Sequence, residues 1–356
     1  MGLPGWDNEP RVPYGELHGL IMRMFRAAGV SDVDSSIAAD ALLIADVRGI
    51  ETHGVQRMKF YLTGLDNGLV VADSEISVDR EHPGTIAFDG HRGLGLVMAT
   101  YAMRRVIEKA SDTGICLGTL RNSSHYGIAA HYALMATERD MCGMSMTNTS
   151  PIVVPFGAKH HALGTNPIAF TAPTNGDPFC LDMATSTVAL GKIEVARRLG
   201  VPVPPGWSLD SGGQTIVDPN LHAGLTPLGA TTDLGGHKGY GLGMMVEIFT
   251  SQLASNTWSG QIDREHADGD AGFNGQMFMA WRIDAFRDVQ DFKDALEEMC
   301  IDLKVMEPLD PESPVKIPGD PEMIATRYNM EHGVPIRRPV FNELQVLADR
   351  LGVEWL

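Results

Sequence analysis

The sequence predicts an α/β chain in which a helical N-terminal region precedes strands that alternate with helices. Residues 14–28 carry apolar side chains at helical spacing, and the S-D-V-D sequence that follows is typical of a capping box opening a second helix. Further on, the apolar run 113–120 is typical of a buried strand, whereas the alanine-rich run 128–137 favours a helix. Both kinds of element in one chain indicate the α/β (α+β) class.

A glycine-rich turn follows the strand that begins at residue 86, and helix-forming residues resume over 97–110. Gly93 and Gly95 match two glycines of the G-x-G-x-x-G sequence of dinucleotide-binding turns, but Met98 stands where the third glycine belongs. We therefore interpret this segment as an ordinary turn.

The chain has 356 residues, enough for two domains or one large domain with a substantial core. Hydrophobic residues make up 44% and charged residues 21%, and no apolar run approaches the roughly 20 residues of a membrane helix. The first residues lack a basic region followed by an apolar core. We therefore expect no secretory signal and a cytoplasmic location.

Charge and cysteine spacing argue against several classes of partner. The formal net charge of −17 makes nonspecific binding to nucleic acid or to an anionic membrane improbable. Any phosphate-bearing ligand must then be held by local cations and backbone amides. Cys116, Cys142, Cys180 and Cys300 are widely spaced without a C-x-x-C pair, so we expect buried free thiols and no zinc–cysteine site.

The most informative stretch is 121–132, RNSSHYGIAAHY, which places His125 in a turn between a strand and a helix. Ser123 or Ser124 can cap the first turn of that helix, and the positive end of the helix dipole disfavours a protonated imidazole. A neutral imidazole can accept a hydroxyl proton at neutral pH. The alternative is a capping turn whose histidine faces solvent.

A second stretch, 49–68, carries His53, Arg57 and Tyr61 at positions i, i+4 and i+8. If the chain is helical from Gly54, an imidazole, a guanidinium and a phenol share one face. Such a face suits a small carboxylate that the guanidinium grips through two hydrogen bonds. A solvated helix face is the alternative.

Small polar residues at two strand ends, 148–151 and 164–166, are typical of a ligand cleft, although ordinary turns have the same composition. Asp182 ends another strand, where it can orient a histidine or cap a helix. The third informative stretch, 228–243, places several glycines and Lys238 ahead of a helix expected over 244–253. Exposed amides and a mobile cation there predict a phosphate cradle.

Six sequence segments occur in order along the chain: ETHGVQR, RNSSHYG, LGTNPIAF, DMATSTVALGKI, PPGWSLD and GGHKGYGL. Together they resemble the type-2 malate/L-lactate dehydrogenase family, which includes ureidoglycolate, sulfolactate and diketogulonate dehydrogenases and cyclic-ketimine reductases. The similarity runs from about Tyr14 to the C-terminus.

The resemblance implies a fold unlike the Rossmann fold, with a mixed sheet flanked by helices. It implies a helical N-terminal region, 1–76, that packs with 185–220 and 318–356, beside a discontinuous α/β portion made of 77–184 and 221–317. It also implies NAD or NADP as cofactor, no metal, a small carboxylate substrate and a homodimer with the active site near the subunit interface.

The resemblance assigns roles to individual residues. His125 corresponds to the acid/base, with His53 as a second catalytic residue. The substrate-binding positions are Thr52, Arg57, Tyr61 and Asn148. The cofactor-binding positions are Ser124, Thr149, Thr165, Asn166, Asp182, Met183, Ala184, His237, Lys238 and Gly319, the last in a loop at 315–322.

The sequence departs from the family in the polar segment 256–275 and at Lys316, where arginine is frequent. These departures leave the substrate and the cofactor preference open. The expected reaction is hydride transfer at C2 of a 2-hydroxy or 2-oxo acid, and a cyclic imine carboxylate is the alternative substrate. A metal hydrolase is disfavoured because His160 and His161 are adjacent and no H-E-x-x-H sequence occurs. A noncatalytic binding protein remains the alternative if the three stretches do not converge.

Overall fold

The computed structural model of the chain describes residues 8–262 and 273–356, so part of the polar segment 256–275 lies outside the described residues. The strands are β1 (Arg11–Val12), β2 (Ser77–His82), β3 (Thr85–Gly93), β4 (Ile115–Ser123), β5 (Met141–Thr147), β6 (Ile168–Ala172), β7 (Phe179–Met183), β8 (Ser208–Leu209), β9 (Gly224–Leu225), β10 (Asn274–Arg282) and β11 (Val334–Pro335). The α-helices are α1 (Tyr14–Ala27), α2 (Asp32–Val47), α3 (Met58–Asp66), α4 (Gly95–Thr113), α5 (Ala129–Thr137), α6 (Leu190–Leu199), α7 (Gly236–Glu247), α8 (Val289–Lys304), α9 (Asp320–His332) and α10 (Arg338–Leu351).

A seven-stranded mixed sheet forms the centre of the fold, in the order β2-β3-β4-β10-β5-β6-β7. β3 and β4 run parallel, and the other neighbours are antiparallel. β10, from late in the chain, lies between β4 and β5 and sets Gln276 opposite Leu120 and Thr147. The expected mixed sheet flanked by helices is confirmed.

The main hydrophobic core joins the N-terminal helices to one face of the sheet. Leu17 of α1, Leu42 of α2, Val106 of α4 and Leu344 of α10 belong to one buried cluster. The S-D-V-D capping box is confirmed, since the amide of Asp34 donates to Ser31 Oγ at 3.1 Å. β1 also pairs with β11, so the C-terminal residues pack with the N-terminal region.

Residues 185–220 contribute side chains to a second hydrophobic core. Val188, Ile193 and Val203 lie in a second core together with Val153 and Leu225. Their apolar surface is therefore buried against the loops after β5 and around β9, and the domain boundaries stay a prediction. Within the described ranges, no helix combines the length and the apolarity needed to cross a bilayer.

The turn between β3 and α4 is confirmed, and its tightness explains its glycines. A Cβ atom on Gly95 would lie 2.1 Å from the carbonyl oxygen of Ser124, and one on Gly93 would lie 2.8 Å from the Met98 side chain. The Gly95 amide donates to Ser124 Oγ at 2.7 Å. This turn therefore holds the chain beside His125.

The expected helix over 244–253 starts too late. α7 begins at Gly236 and continues into a π-helical turn, Ile248–Gln252. Several glycines that the sequence placed ahead of the helix therefore lie inside it. A Cβ atom on Gly239 would lie 2.2 Å from the carbonyl oxygen of Leu228, so these glycines allow close packing at the expense of helix propensity.

Two glycines of α7 should respond oppositely to substitution by alanine. A Cβ atom on Gly241 meets nothing within 4 Å. We expect Gly241→Ala to raise the free energy of unfolding by about 0.5–1 kcal/mol, because alanine reduces the entropy of the unfolded chain. Gly239→Ala should lower it by about 1–3 kcal/mol, because the methyl group has no room. Urea denaturation of both variants checks this, and equal effects at the two positions would contradict the packing argument.

Candidate active site

His125 lies in the turn between β4 and α5, as the sequence predicts. The peptide groups on both sides of it are held by buried side chains. The carbonyl oxygen of Ser124 accepts a hydrogen bond from Gln276 Nε2 at 3.0 Å, and that of Tyr126 accepts one from Tyr132 Oη at 2.5 Å. The imidazole is therefore presented by a turn whose backbone is fixed from within the core.

The predicted capping of α5 by Ser123 or Ser124 is wrong. Ser124 Oγ accepts from the amide of Gly95 and so caps α4 instead, while Ser123 Oγ is buried with no partner among the described residues. The amide of Ala130 in the first turn of α5 donates to Asp182 Oδ2 at 2.8 Å. A carboxylate from β7 thus takes the capping role, because β7 ends beside α5 in space.

The helix expected from Gly54 does not form there. Two 3-10 turns, Glu51–His53 and Val55–Arg57, are broken at Gly54, and α3 begins at Met58. The cause is Asp46 on α2: its Oδ2 accepts from the Val55 amide at 2.8 Å, and a Cβ atom on Gly54 would lie 2.1 Å from its carboxyl group. A buried acid therefore draws the segment out of helical register.

The side chains of this segment nevertheless converge on His125. The rings of His53 and His125 stack with centroids 5.8 Å apart, and Tyr61 Oη lies 2.6 Å from His125 Nδ1. Thr52 Oγ1 lies 2.9 Å from His53 Nδ1, and the carbonyl oxygen of Thr52 accepts a hydrogen bond from Arg57 Nε at 2.7 Å. The structure brings together the predicted residues Thr52, His53, Arg57, Tyr61 and His125.

Both imidazoles of this cluster favour the neutral form. Burial lowers the pKa of His125 well below its usual 6.5, and the neighbouring His53 and Arg57 lower that pKa further. Burial, followed by Arg57, lowers the pKa of His53 to about 4. The sequence attributed a neutral His125 to the dipole of α5, but that helix begins only at Ala129 and meets a carboxylate in its first turn.

The two asparagines predicted to bind ligands are fully buried and hold the scaffold. Asn148 accepts from the Gly275 amide at 2.9 Å and donates to the carbonyl oxygen of Thr257 at the same distance. Asn166 donates to Glu247 Oε1 at 2.8 Å. With these bonds made, neither amide is free for a ligand in this structure, and their ligand-binding roles stay a prediction.

Other cofactor-binding candidates follow β7 and its surroundings. Asp182, Met183 and Ala184 are half-buried, and burial raises the pKa of the Asp182 carboxyl to about 6. Thr149 Oγ1 accepts a hydrogen bond from the Thr165 amide at 3.0 Å. The carbonyl oxygen of Thr165 accepts one from the amide of Thr185, which follows Ala184. Gly319 precedes α9 with a φ of 103°, and the carbonyl oxygen before it accepts from Cys180 of β7. Thr165 and Thr149 therefore lie near the end of β7, and Gly319 lies near its start.

Lys238 and His237 are exposed in the first turn of α7. The amides of Gly235, Gly236 and Lys238 already donate to the carbonyl oxygens of residues 232, 231 and 235. Backbone amides therefore contribute less to a phosphate site here than the sequence predicted, and the Lys238 side chain is the available cation. Among the side chains of 8–262 and 273–356, no group of three or more histidine, cysteine, aspartate or glutamate residues could hold a metal ion.

Comparison with known proteins identifies the family. The family model described as malate/L-lactate dehydrogenase matches residues 12–345. The chain belongs to the malate/L-lactate dehydrogenase family. This result confirms the resemblance inferred from the six sequence segments.

Relatives and solved structures of this family cover the whole chain. A malate dehydrogenase of Pyrococcus abyssi is 41% identical over 354 residues, which are 98% of this chain and 97% of the relative. The structure of malate dehydrogenase from Pyrococcus horikoshii OT3 is 40% identical, with a TM-score of 0.91 over 100% of both chains. A Δ1-pyrroline-2-carboxylate/Δ1-piperideine-2-carboxylate reductase of Pseudomonas putida is 29% identical over 358 residues, 99% of this chain and 100% of the relative.

These relatives are named dehydrogenases and reductases. The chain is accordingly an oxidoreductase of the kind that acts on CH–OH or CH–NH groups with a nicotinamide cofactor. The oxidoreductase reading is confirmed, whereas the roles of individual residues stay predictions that the geometry described above supports.

The sequence did not reveal the buried residues whose side chains hydrogen-bond to the backbone of the site. Gln276 is separated from Ser124 by 152 positions, and only the insertion of β10 beside β4 brings them together. Asp46 reads as one more polar residue of α2, although it is 6% exposed and shapes the His53 segment. The one nearby feature of the sequence that points to this role of Asp46 is Gly54, eight positions later.

The pH dependence of stability should reveal the role of Asp46. Burial raises the pKa of its carboxyl to about 8; the Val55 amide opposes this rise and Glu51 adds to it. The folded protein then holds a proton that the unfolded chain releases near pH 3.8, so the free energy of unfolding falls as pH rises between these values. Asp46→Asn keeps an acceptor for the Val55 amide without titrating, and should remove this fall.

Urea denaturation of the parent and of Asp46→Asn, each at about pH 5 and about pH 8, measures how strongly the free energy of unfolding of each protein depends on pH. The slope is this change in free energy with pH. Asp112→Asn, on the exposed side of α4, is the matched control and should keep the parental slope. A parental slope in Asp46→Asn would show that the carboxyl is ionised throughout this range.

Proposed function

We propose that the protein catalyses reversible hydride transfer between nicotinamide and C2 of a small 2-hydroxy or 2-oxo carboxylate of the malate or lactate type. The observation that carries this proposal is the cluster of two neutral imidazoles beside a guanidinium. His125 supplies a proton acceptor, and Arg57 supplies a fixed positive charge close enough to lower the pKa of both histidines. Oxidation of a 2-hydroxy carboxylate requires both groups in one place.

Each side chain has a defined part in this reaction. Arg57 binds the substrate carboxylate, with its Nε already anchored on the carbonyl oxygen of Thr52. His125 takes the proton of the C2 hydroxyl in oxidation and returns it in reduction, and His53 donates a hydrogen bond to the C2 oxygen. Acid/base assistance of this kind contributes roughly 10²–10⁴-fold in rate. The bound cofactor accepts or supplies the hydride.

The residues along β7 and α7 fit a dinucleotide. The half-buried Asp182 carboxylate can accept hydrogen bonds from ribose hydroxyls, and the exposed Lys238 can pair with a phosphate. Thr149 and Thr165 offer further hydroxyl groups to the cofactor. We propose NAD or NADP as the cofactor, with Ser124, Met183, Ala184, His237 and Gly319 as further contacts.

The second candidate function is reduction of a cyclic imine carboxylate. The similarity to the Pseudomonas putida reductase over 99% of the chain supports it. Both substrates present a planar C2 beside a carboxylate, so the same cluster serves either. Absorbance of NADH and NADPH with a panel of 2-oxo acids and cyclic imines decides between them. Turnover of neither class would contradict the proposed function.

Substitution of Arg57 tests the carboxylate site. Arg57→Lys keeps the charge but loses the planar pair of donors, so kcat/KM on the best substrate should fall. Arg57→Ala leaves the carboxylate without a partner and should cost about 2–5 kcal/mol, or roughly 30- to several-thousand-fold in kcat/KM. Arg105→Ala, an exposed arginine of α4 paired with Glu108, is the control and should keep parental kinetics. Parental values in both Arg57 variants would place the substrate carboxylate elsewhere.

We also propose that the protein is a homodimer in the cytoplasm. The free thiols Cys116, Cys142 and Cys180 are buried, which suits a reducing compartment. Leu242, Ile248 and Leu253 expose 36–54% of their surface along α7 and its π-helical extension. An apolar strip of this kind is typical of a protein interface.

Replacement of Ile248 by glutamate should dissociate the dimer, because the new charge would be buried without a partner. Size-exclusion chromatography with light scattering measures the mass. Ile301→Glu on α8 is the matched control, since both isoleucines are 54% exposed. We expect a monomer from Ile248→Glu and a dimer from Ile301→Glu. The reverse outcome would move the interface to α8.

A further inference from the structure

The hydroxyl group of Tyr61 contacts His125 and not the space in front of it. Tyr61 Oη lies 2.6 Å from His125 Nδ1, and the tyrosine is 1% exposed. The family resemblance implies a place for this residue in the substrate pocket. Its polar atom is instead turned toward the nitrogen on the buried side of the imidazole.

The backbone determines which atom carries the proton. The Gly127 amide donates to His125 Nδ1 at 3.3 Å. An amide can only donate, so Nδ1 must present a lone pair. Tyr61 Oη lies 2.6 Å from that nitrogen, so the phenol donates its own proton to the lone pair of Nδ1. Burial raises the pKa of Tyr61, so this donor stays protonated at neutral pH.

We infer that Tyr61 is a positioning residue that, together with the Gly127 amide, holds the neutral His125 ring with its proton on Nε2 and makes Nε2 the nitrogen that meets the substrate. The kinetic part of this inference rests on the proposed function. A neutral ring in this state donates a hydrogen bond to a carbonyl oxygen and therefore binds the 2-oxo form of the substrate in preference to the hydroxy form. To accept a hydroxyl proton, the ring must first exchange its Nε2 proton with solvent for a proton at Nδ1. This change requires the Gly127 amide to lose its bond to Nδ1 and the Tyr61 hydroxyl to turn from donor to acceptor.

Tyr61→Phe removes the hydroxyl and keeps the ring. The titratable and charged groups that face His125 are His53, Arg57 and Tyr61, and the variant leaves the first two unchanged. Because the lost donor favours the neutral ring, the pKa of His125 should rise, and the acid limb of the oxidation pH profile should move to higher pH. We expect kcat for reduction of a 2-oxo acid to fall about tenfold, the worth of one such hydrogen bond, with KM within about threefold of the parent.

Nitrogen-15 NMR of histidine-labelled protein measures the tautomer without any turnover. The parent should show an unprotonated Nδ1 and a protonated Nε2 for His125 at neutral pH. Tyr61→Phe should show a larger share of the Nδ1-protonated form. Tyr101→Phe on α4, which removes a hydrogen bond to Asp34 of α2, is the matched control and should change neither the spectrum nor the pH profile.

A protonated Nδ1 in the parent at neutral pH would overturn the inference, and so would an unchanged spectrum and pH profile in Tyr61→Phe. Should that variant fail to fold, the parent spectrum alone still decides the tautomer. The two proposals also fail separately. Absence of turnover with every 2-oxo acid and imine would reject the proposed function, whereas the spectrum would still report where the proton of His125 lies.

Discussion

The arrangement of the site depends on a backbone contact that leaves no room for a side chain. A Cβ atom on Gly95 would lie 2.1 Å from the carbonyl oxygen of Ser124 and 2.5 Å from that of His125. Because Gly95 has no Cβ, the first turn of α4 can press against the His125 turn and be capped by Ser124 Oγ. From the other side, Gln276 binds the same carbonyl group of Ser124. The imidazole is thus positioned by packing between a helix and a strand.

Local patterns predicted the elements that carry the site, and they failed where partners are distant in sequence. α1 and α5 match the predicted bounds to within one residue, and the turn around His125 lies between β4 and α5, because apolar spacing and helix propensity act over a few residues. The cap of α5 comes from Asp182, which is 52 positions from Ala130. A sequence offers many serines and acids as caps, and tertiary packing selects among them.

The segment 51–61 shows that a correct grouping can rest on an incorrect element. Helical spacing placed His53, Arg57 and Tyr61 on one face, whereas the chain forms two 3-10 turns before α3. The residues still converge: Asp46 holds the Val55 amide against α2, and the His53 ring and the Tyr61 hydroxyl both contact His125. Such a tertiary constraint has no periodic signature, so periodicity alone could not separate the two conformations.

The cation that suits a carboxylate substrate is also one of the groups that keep the histidines neutral. Burial is the largest cause of the lowered pKa of both His53 and His125. Arg57 is the second cause for His53, and for His125 it follows burial and His53. A bound carboxylate would offset that charge, and the pKa of His125 would then rise toward its usual value. Binding of the proposed substrate therefore makes His125 a stronger base at the moment when a hydroxyl proton has to be removed. In the free enzyme the same ring stays neutral and holds its hydrogen bond with Tyr61, so in the proposed mechanism one arginine couples substrate recognition to the basicity of the proton acceptor.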